Sequence, residues 1–220
     1  MIKIQRSTPA PESLAIEAQK TNGTYGSLDV VQRLKKDFHN KCYICEMKPV
    51  ADPEIEHLLP HKNGAYPERR FDWDNLFWSC RHCNSVKNQK KYESGILDCC
   101  KEDPEEYLIL SLEEDTVTVH IFASCNQKVF LTAELIYEVF SLKNTGIRLA
   151  ACEARIENLQ IEMGKLYSAL DEYRKNPDST SANQKMRILL RRDSSAFAGF
   201  KRSYVRSHLA EYPELEKYIA

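Results

Sequence analysis

Two Cys-x-x-Cys pairs, Cys42/Cys45 and Cys80/Cys83, stand 34 residues apart and constrain this chain more than any other feature. Each pair sets two thiolates on one tight turn, and zinc takes four such ligands in a tetrahedron at about 2.3 Å. A redox Cys-x-x-Cys would stand alone on a thioredoxin-like βαβ pattern, which the flanking residues do not show. Four cysteines leave no position open for water, so the metal would hold structure and do no chemistry. The other cysteines, Cys99, Cys100, Cys125 and Cys152, lack ligand spacing and read as reduced, inert thiols.

The N-terminal stretch MIKIQRSTPAPESLAIEAQ has no apolar signal-peptide core, so a disulfide framework is not expected and the protein reads as cytoplasmic. No run of eighteen apolar residues suggests a membrane span. Residues 1–40 read as a Pro-containing arm followed by helices over 11–20 and 27–39. In the second helix, Leu28, Val31, Leu34 and Phe38 share a face. Residues 41–103 hold all the metal-type residues, with short strands over 54–59 and 75–79 and a helix starting near Cys83. Residues 104–220 read as a β-hairpin (107–112 and 116–122) and then helices over 132–140, 144–173 and 182–210, the last broken near Ser194. The fold class is therefore α+β with a mainly helical C-terminal region.

The net charge of −1 neither favours nor excludes a polyanion as partner. Residues 181–208 carry seven Lys/Arg against the single acid Asp193, which suits either a nucleic-acid surface or a helix face balanced by acids elsewhere.

Two stretches carry the chemistry. EIEHLLPH (54–61) precedes DNLFWSCRHCNSVKN (74–88), so that His57 comes 18 residues before Asn75, and Asn75 nine before Asn84. Alone, Glu56-His57 would be a solvated pair, Asn75 a turn residue and Asn84 a helix cap. Lys87 lies one helical turn beyond Asn84, within reach of a phosphate oxygen. Lys90 and Lys91 read as further phosphate contacts. His61 suits a metal, a phosphate or an ordinary loop equally. His82 reads as a surface residue, and Trp73, Phe77 and Trp78 as packing around the zinc.

The order acid-His, Asn, Asn, enclosed by paired Cys-x-x-Cys knuckles, resembles the HNH nuclease family over residues 41–91. The resemblance implies a ββα-metal (His-Me finger) core of two short antiparallel strands, a helix and one catalytic divalent ion. It implies that His57 is the general base and that Asn75 braces the loop that positions it. It further implies that Glu56 and Asn84 ligate Mg²⁺ or Mn²⁺, alongside the structural Zn²⁺ on Cys42, Cys45, Cys80 and Cys83. Most family members have Asp where this chain has Glu56, which bears on metal preference.

The arm MIKIQRSTPAP, the EH form of the motif and the late SAFAGFKRSYVRSH together resemble the PtuB family, the HNH component of Septu anti-phage systems. That resemblance implies a hetero-oligomeric complex with a PtuA-like ABC/SMC ATPase, DNA as substrate, and docking surfaces on the arm and the C-terminal helices. The alternatives are a stand-alone restriction or homing-type HNH nuclease and a non-catalytic zinc-braced nucleic-acid-binding adaptor.

Overall fold

In the computed structural model, which describes residues 1–123 and 126–220, two small antiparallel hairpins are set among eight α-helices among the described residues. The helices are α1 (Glu12–Ala18), α2 (Leu28–Asp37), α3 (Arg81–Lys87), α4 (Gln127–Ser141), α5 (Gly146–Lys175), α6 (Thr180–Leu189), α7 (Ala198–Ser207) and α8 (Glu216–Ile219). Strand β1 (Pro53–His57) pairs with β2 (Leu76–Cys80), with Glu54 opposite Ser79 and His57 opposite Leu76. Strands β3 (Leu108–Glu113) and β4 (Thr116–Ile121) form the second hairpin. The protein is α+β, as the pattern of elements predicts. Cys125 lies outside the described residues.

Several boundaries differ from those the sequence suggests, each for a local reason. α3 starts at Arg81, two residues early, because Cys80 ends β2 with extended dihedrals and the chain turns directly into the helix. α4 starts at Gln127, five residues early, since the Asn126 side chain caps it by accepting from the Lys128 and Val129 amides. In α2 the buried face runs through Val30, Leu34 and Phe38, spaced four apart, and Leu28 is exposed. The break near Ser194 is real: α6 ends at Leu189, and α7 begins after Phe197, which takes a left-handed conformation (φ 49°).

One cluster of buried apolar residues runs from Met1 to Ile219. The N-terminal arm packs into it through Met1 and Ile4. Ile4 donates its amide to Cys99 O at 2.8 Å, and Ser7 hydrogen-bonds the buried Asp37 carboxylate. The Arg6 guanidinium lies over Trp73 and Phe77 while it donates to the carbonyls of Trp73 and Leu76.

α7 packs onto the first knuckle. The Gly199 amide donates to both oxygens of buried Glu46, at 3.1 Å each. A Cβ at position 199 would come within 2.5 Å of that carboxylate, so only glycine fits the approach.

The basic 181–208 stretch is largely neutralised from within. Arg202 is buried on Glu105, Arg192 and Arg206 reach the same carboxylate, Lys201 pairs with Glu162, Arg191 with Asp193 and Lys185 with Glu172. Of the two readings of this stretch, the balanced helix face is the one found. Among the described residues no helix is long and apolar enough to cross a membrane.

Candidate functional site: a closed thiol cluster beside an open histidine cleft

The four knuckle cysteines converge. Cys42 and Cys45 lie on the turn after α2, Cys80 ends β2 and Cys83 sits in the first turn of α3. All four are buried, and their sulfur atoms lie within 4.8 Å of one another. The Cys45 and Cys80 sulfurs are 4.0 Å apart. That is too far for a disulfide, and close to the edge of about 3.8 Å that a zinc tetrahedron with 2.3 Å bonds requires. Arg155 Nη2 donates to Cys80 Sγ at 3.1 Å, a cation placed against the negative charge that four thiolates around one Zn²⁺ would carry. The cluster could hold a zinc ion as a closed structural site.

Beside it, the end of β1, the start of the following loop and α3 border a cleft of about 480 Å³. His57 stands at the mouth of this cleft as the last residue of β1. Its Nε2 lies 3.0 Å from the Arg70 carbonyl. A carbonyl can only accept, so Nε2 carries the proton and Nδ1 is left with a free lone pair. Burial holds the imidazole below its ordinary pKa, which keeps the ring neutral. The His61 ring lies 4.7 Å away, centroid to centroid, also lines the cleft, and has a buried Nδ1 with no protein partner. Burial and the nearby Arg70 lower the His61 pKa as well.

Asn75 is buried and fully engaged. Its Oδ1 accepts from Leu59 N at 2.8 Å, while Nδ2 donates to Leu59 O and Arg69 O, both at 2.9 Å. One amide thus ties the chain just past His57 to the segment whose next carbonyl, Arg70 O, holds the His57 ring.

Glu56 points the other way, as strand alternation requires, and is 4 % exposed. Its Oε1 accepts from Lys87 Nζ at 2.5 Å and its Oε2 from the Tyr43 hydroxyl at 2.5 Å. Burial pushes its pKa up, against the opposing pull of Lys87 and Tyr43. Asn84 donates instead to Glu54 Oε2, at 2.7 Å. Glu56 and Asn84 are engaged with separate partners, Glu56 with Lys87 and Tyr43 and Asn84 with Glu54, and both line the same cleft as His57.

Lys87, expected at a phosphate, is 5 % exposed. Its Nζ is bonded to Glu56 and to the carbonyls of His57 and Leu58, at 3.1 and 3.0 Å, which uses all three of its protons. Lys91 is held by Glu134 and Glu138, whereas exposed Lys90 lines the cleft. His82 is half-buried, with its Nε2 3.0 Å from the Val139 carbonyl of α4. Trp73, Phe77 and Trp78 are buried packing, as expected.

The sequence reading missed three participants. Tyr25 meets His57 edge-on at 4.7 Å and walls the cleft. It is carried there by the loop after α1, which Arg70 Nη2 holds through Gly23 O at 2.8 Å. Nothing in NGTYGS signals this contact, which is purely tertiary. Tyr43, between the first two cysteines, was equally silent. Glu54 was legible, because it shares a strand face with Glu56 by the two-residue repeat.

No protein-family model matches the chain. The chain is similar to PtuB proteins. One, the Septu protein PtuB of Bacillus thuringiensis, is 29% identical over 131 residues, covering 55% of this chain and 46% of that protein. Another, the Septu protein PtuB of Bacillus mycoides (strain KBAB4), is 31% identical over 116 residues, covering 38% of this chain and 39% of that protein. The chain thus spans less than half the length of the curated relatives it matches.

Proposed function

We propose that this protein is an HNH-type endonuclease that hydrolyses DNA phosphodiester bonds, the nuclease component of a Septu-type anti-phage system working with a PtuA-like ATPase. The similarity to Septu PtuB proteins supports the defence setting. The observation that carries the chemistry is the His57 imidazole, held by Arg70 O through Nε2 with its Nδ1 lone pair unprotonated at the cleft.

In this reading Asn75 fixes the Leu59 and Arg69 backbone, and the Arg70 carbonyl fixes the His57 tautomer. His57 Nδ1 then takes a proton from a water that attacks phosphorus in line with the 3′ oxygen; the bond from phosphorus to that oxygen breaks, and the leaving 3′ oxygen takes a proton from solvent water. A neutral imidazole suits that transfer near cell pH. His61 and Lys90 line the same cleft, where a phosphate would lie.

The engagement of Glu56 with Lys87 and Tyr43 favours the rival reading, a zinc-braced adaptor without chemistry. A plasmid-nicking assay on the protein, with and without its ATPase partner and with Mg²⁺ or Mn²⁺ supplied, separates the two. Nicking by wild type that His57→Ala abolishes supports the nuclease. No nicking under any of these conditions, or equal cutting by His57→Ala, sinks it.

A further inference from the structure

The sequence places Lys87 where a phosphate contact would be, yet in the fold it borders the cleft while its Nζ is bonded to the strand that carries His57. Three buried side chains form one polar chain. Tyr43, between the two cysteines of the first knuckle, donates to Glu56 Oε2 at 2.5 Å. Glu56 Oε1 accepts from Lys87 Nζ at 2.5 Å, and Lys87 sits at the end of the helix that the second knuckle begins. The same ammonium bonds the carbonyls of His57 and Leu58, at 3.1 and 3.0 Å. Tyr43, Glu56 and Lys87 are 1 %, 4 % and 5 % exposed.

Each member is silent without the others. A buried ammonium needs three acceptors and a counter-charge, and Glu56 with two carbonyls supplies both. A buried carboxylate needs donors on both oxygens, and Lys87 with Tyr43 supplies them. Two of the three acceptors are backbone oxygens at the strand end, so satisfying Lys87 fixes where the His57 backbone lies relative to α3.

We propose that Lys87 is a positioning residue, not a substrate contact, and that the buried chain Tyr43–Glu56–Lys87 transmits the geometry of the cysteine knuckles to the strand end bearing His57. This rests on the reading of His57 as the base of a nuclease. The zinc brace then does more than keep the fold together. Each knuckle contributes one anchor, Tyr43 from the first and Lys87 from the helix of the second, and the two meet on the residue next to His57.

The test uses the full chain in a His57-competent and a His57→Ala form. In the uncut His57→Ala background, binding of a DNA duplex is measured across a range of salt concentrations with and without Lys87→Met. A positioning residue leaves the slope of log affinity against log salt unchanged, whereas a phosphate contact lowers it by about 0.9. In the His57-competent form, the imidazole cross-peaks of His57 are recorded by NMR with zinc content checked.

Lys87→Met should move the His57 cross-peaks while zinc stays at one equivalent per chain. Glu56→Gln/Lys87→Met should melt above Lys87→Met alone, because no buried carboxylate is then left without its cation. If Lys87→Met does not fold, the double variant carries the same two readouts. A salt slope reduced by about 0.9, or His57 cross-peaks that do not move, overturns the proposal. A protein that binds no DNA at all overturns the nuclease reading instead, and the His57 cross-peaks still decide whether Lys87 positions that ring.

Discussion

The thiol cluster and the histidine cleft lie side by side on the same hairpin and helix, yet they treat their donor atoms in opposite ways. The four cysteine sulfurs converge and are all buried, and Cys80 Sγ also accepts from Arg155. His57 and His61 are only half-buried and line an open cleft; His61 keeps a nitrogen without a protein partner. Donors that would share one metal ion hold a fold, whereas an imidazole lining an open cleft can meet a reacting molecule. Lys87 ties the second region to the helix that carries Cys83, and Asn75 braces the second region through Leu59 and Arg69.

The largest expected effect would break the closed region. Cys42→Ser removes one of four ligands, and structural zinc binding is worth on the order of 10 kcal/mol, comparable to the whole stability of a domain. Zinc content should fall below half an equivalent and cooperative unfolding should disappear from the thermal melt. A Cys42→Ser protein that keeps its zinc and its melting temperature would show that Cys42 is not a ligand of a structural metal.

His57→Ala tests the open region. Nicking should fall by about 10³-fold, within the range for loss of a general base, and the melting temperature should move by no more than about 2 °C. A collapse in stability of the size caused by Cys42→Ser would erase the contrast between the two regions.

Asn75→Ala should affect both regions to an intermediate degree. It strips partners from the Leu59 amide and from the Leu59 and Arg69 carbonyls, at a cost of about 2–4 kcal/mol. Chemical denaturation would read this, with a fall in nicking beyond what the unfolded fraction explains.

The smallest effect expected is in pH. Burial depresses the folded pKa of His57 below its free value of 6.5. The unfolded chain therefore takes up the proton first as pH falls, so the stability that neutral His57 contributes is present above pH 6.5 and is lost below it. The acidic limb of nicking should accordingly fall below pH 6.5, because the folded ring stays neutral there. A limb above pH 6.5 would mean that His57 is not shielded as the structure has it.

Much of this contrast was legible in the residues before any coordinates. The paired Cys-x-x-Cys spacing foretold the cluster, and the short strands read over 54–59 and 75–79 are found, slightly shifted, as β1 and β2. The family resemblance implies a bracing role for Asn75, and its amide bonds the Leu59 and Arg69 backbone. What was not legible is what distant chain segments bring together. Tyr25 reaches His57 only because Arg70 holds the Gly23 carbonyl, a contact 47 positions apart. Lys87 looked free because a helix at the end of a motif reads as surface, and only the path of β1 shows three acceptors waiting beneath it. The basic 181–208 stretch left two readings open because its counter-charges, Glu105 and Glu162, lie in other elements.

The central claim is that His57 presents an unprotonated Nδ1 to the cleft while its Nε2 is held by the Arg70 carbonyl. A long-range ¹H–¹⁵N NMR spectrum of the folded, zinc-loaded protein at pH 7.5, with His57 assigned by substitution, reads this directly. The account predicts a neutral ring with the proton on Nε2. A proton on Nδ1, or an imidazolium carrying both, would contradict it.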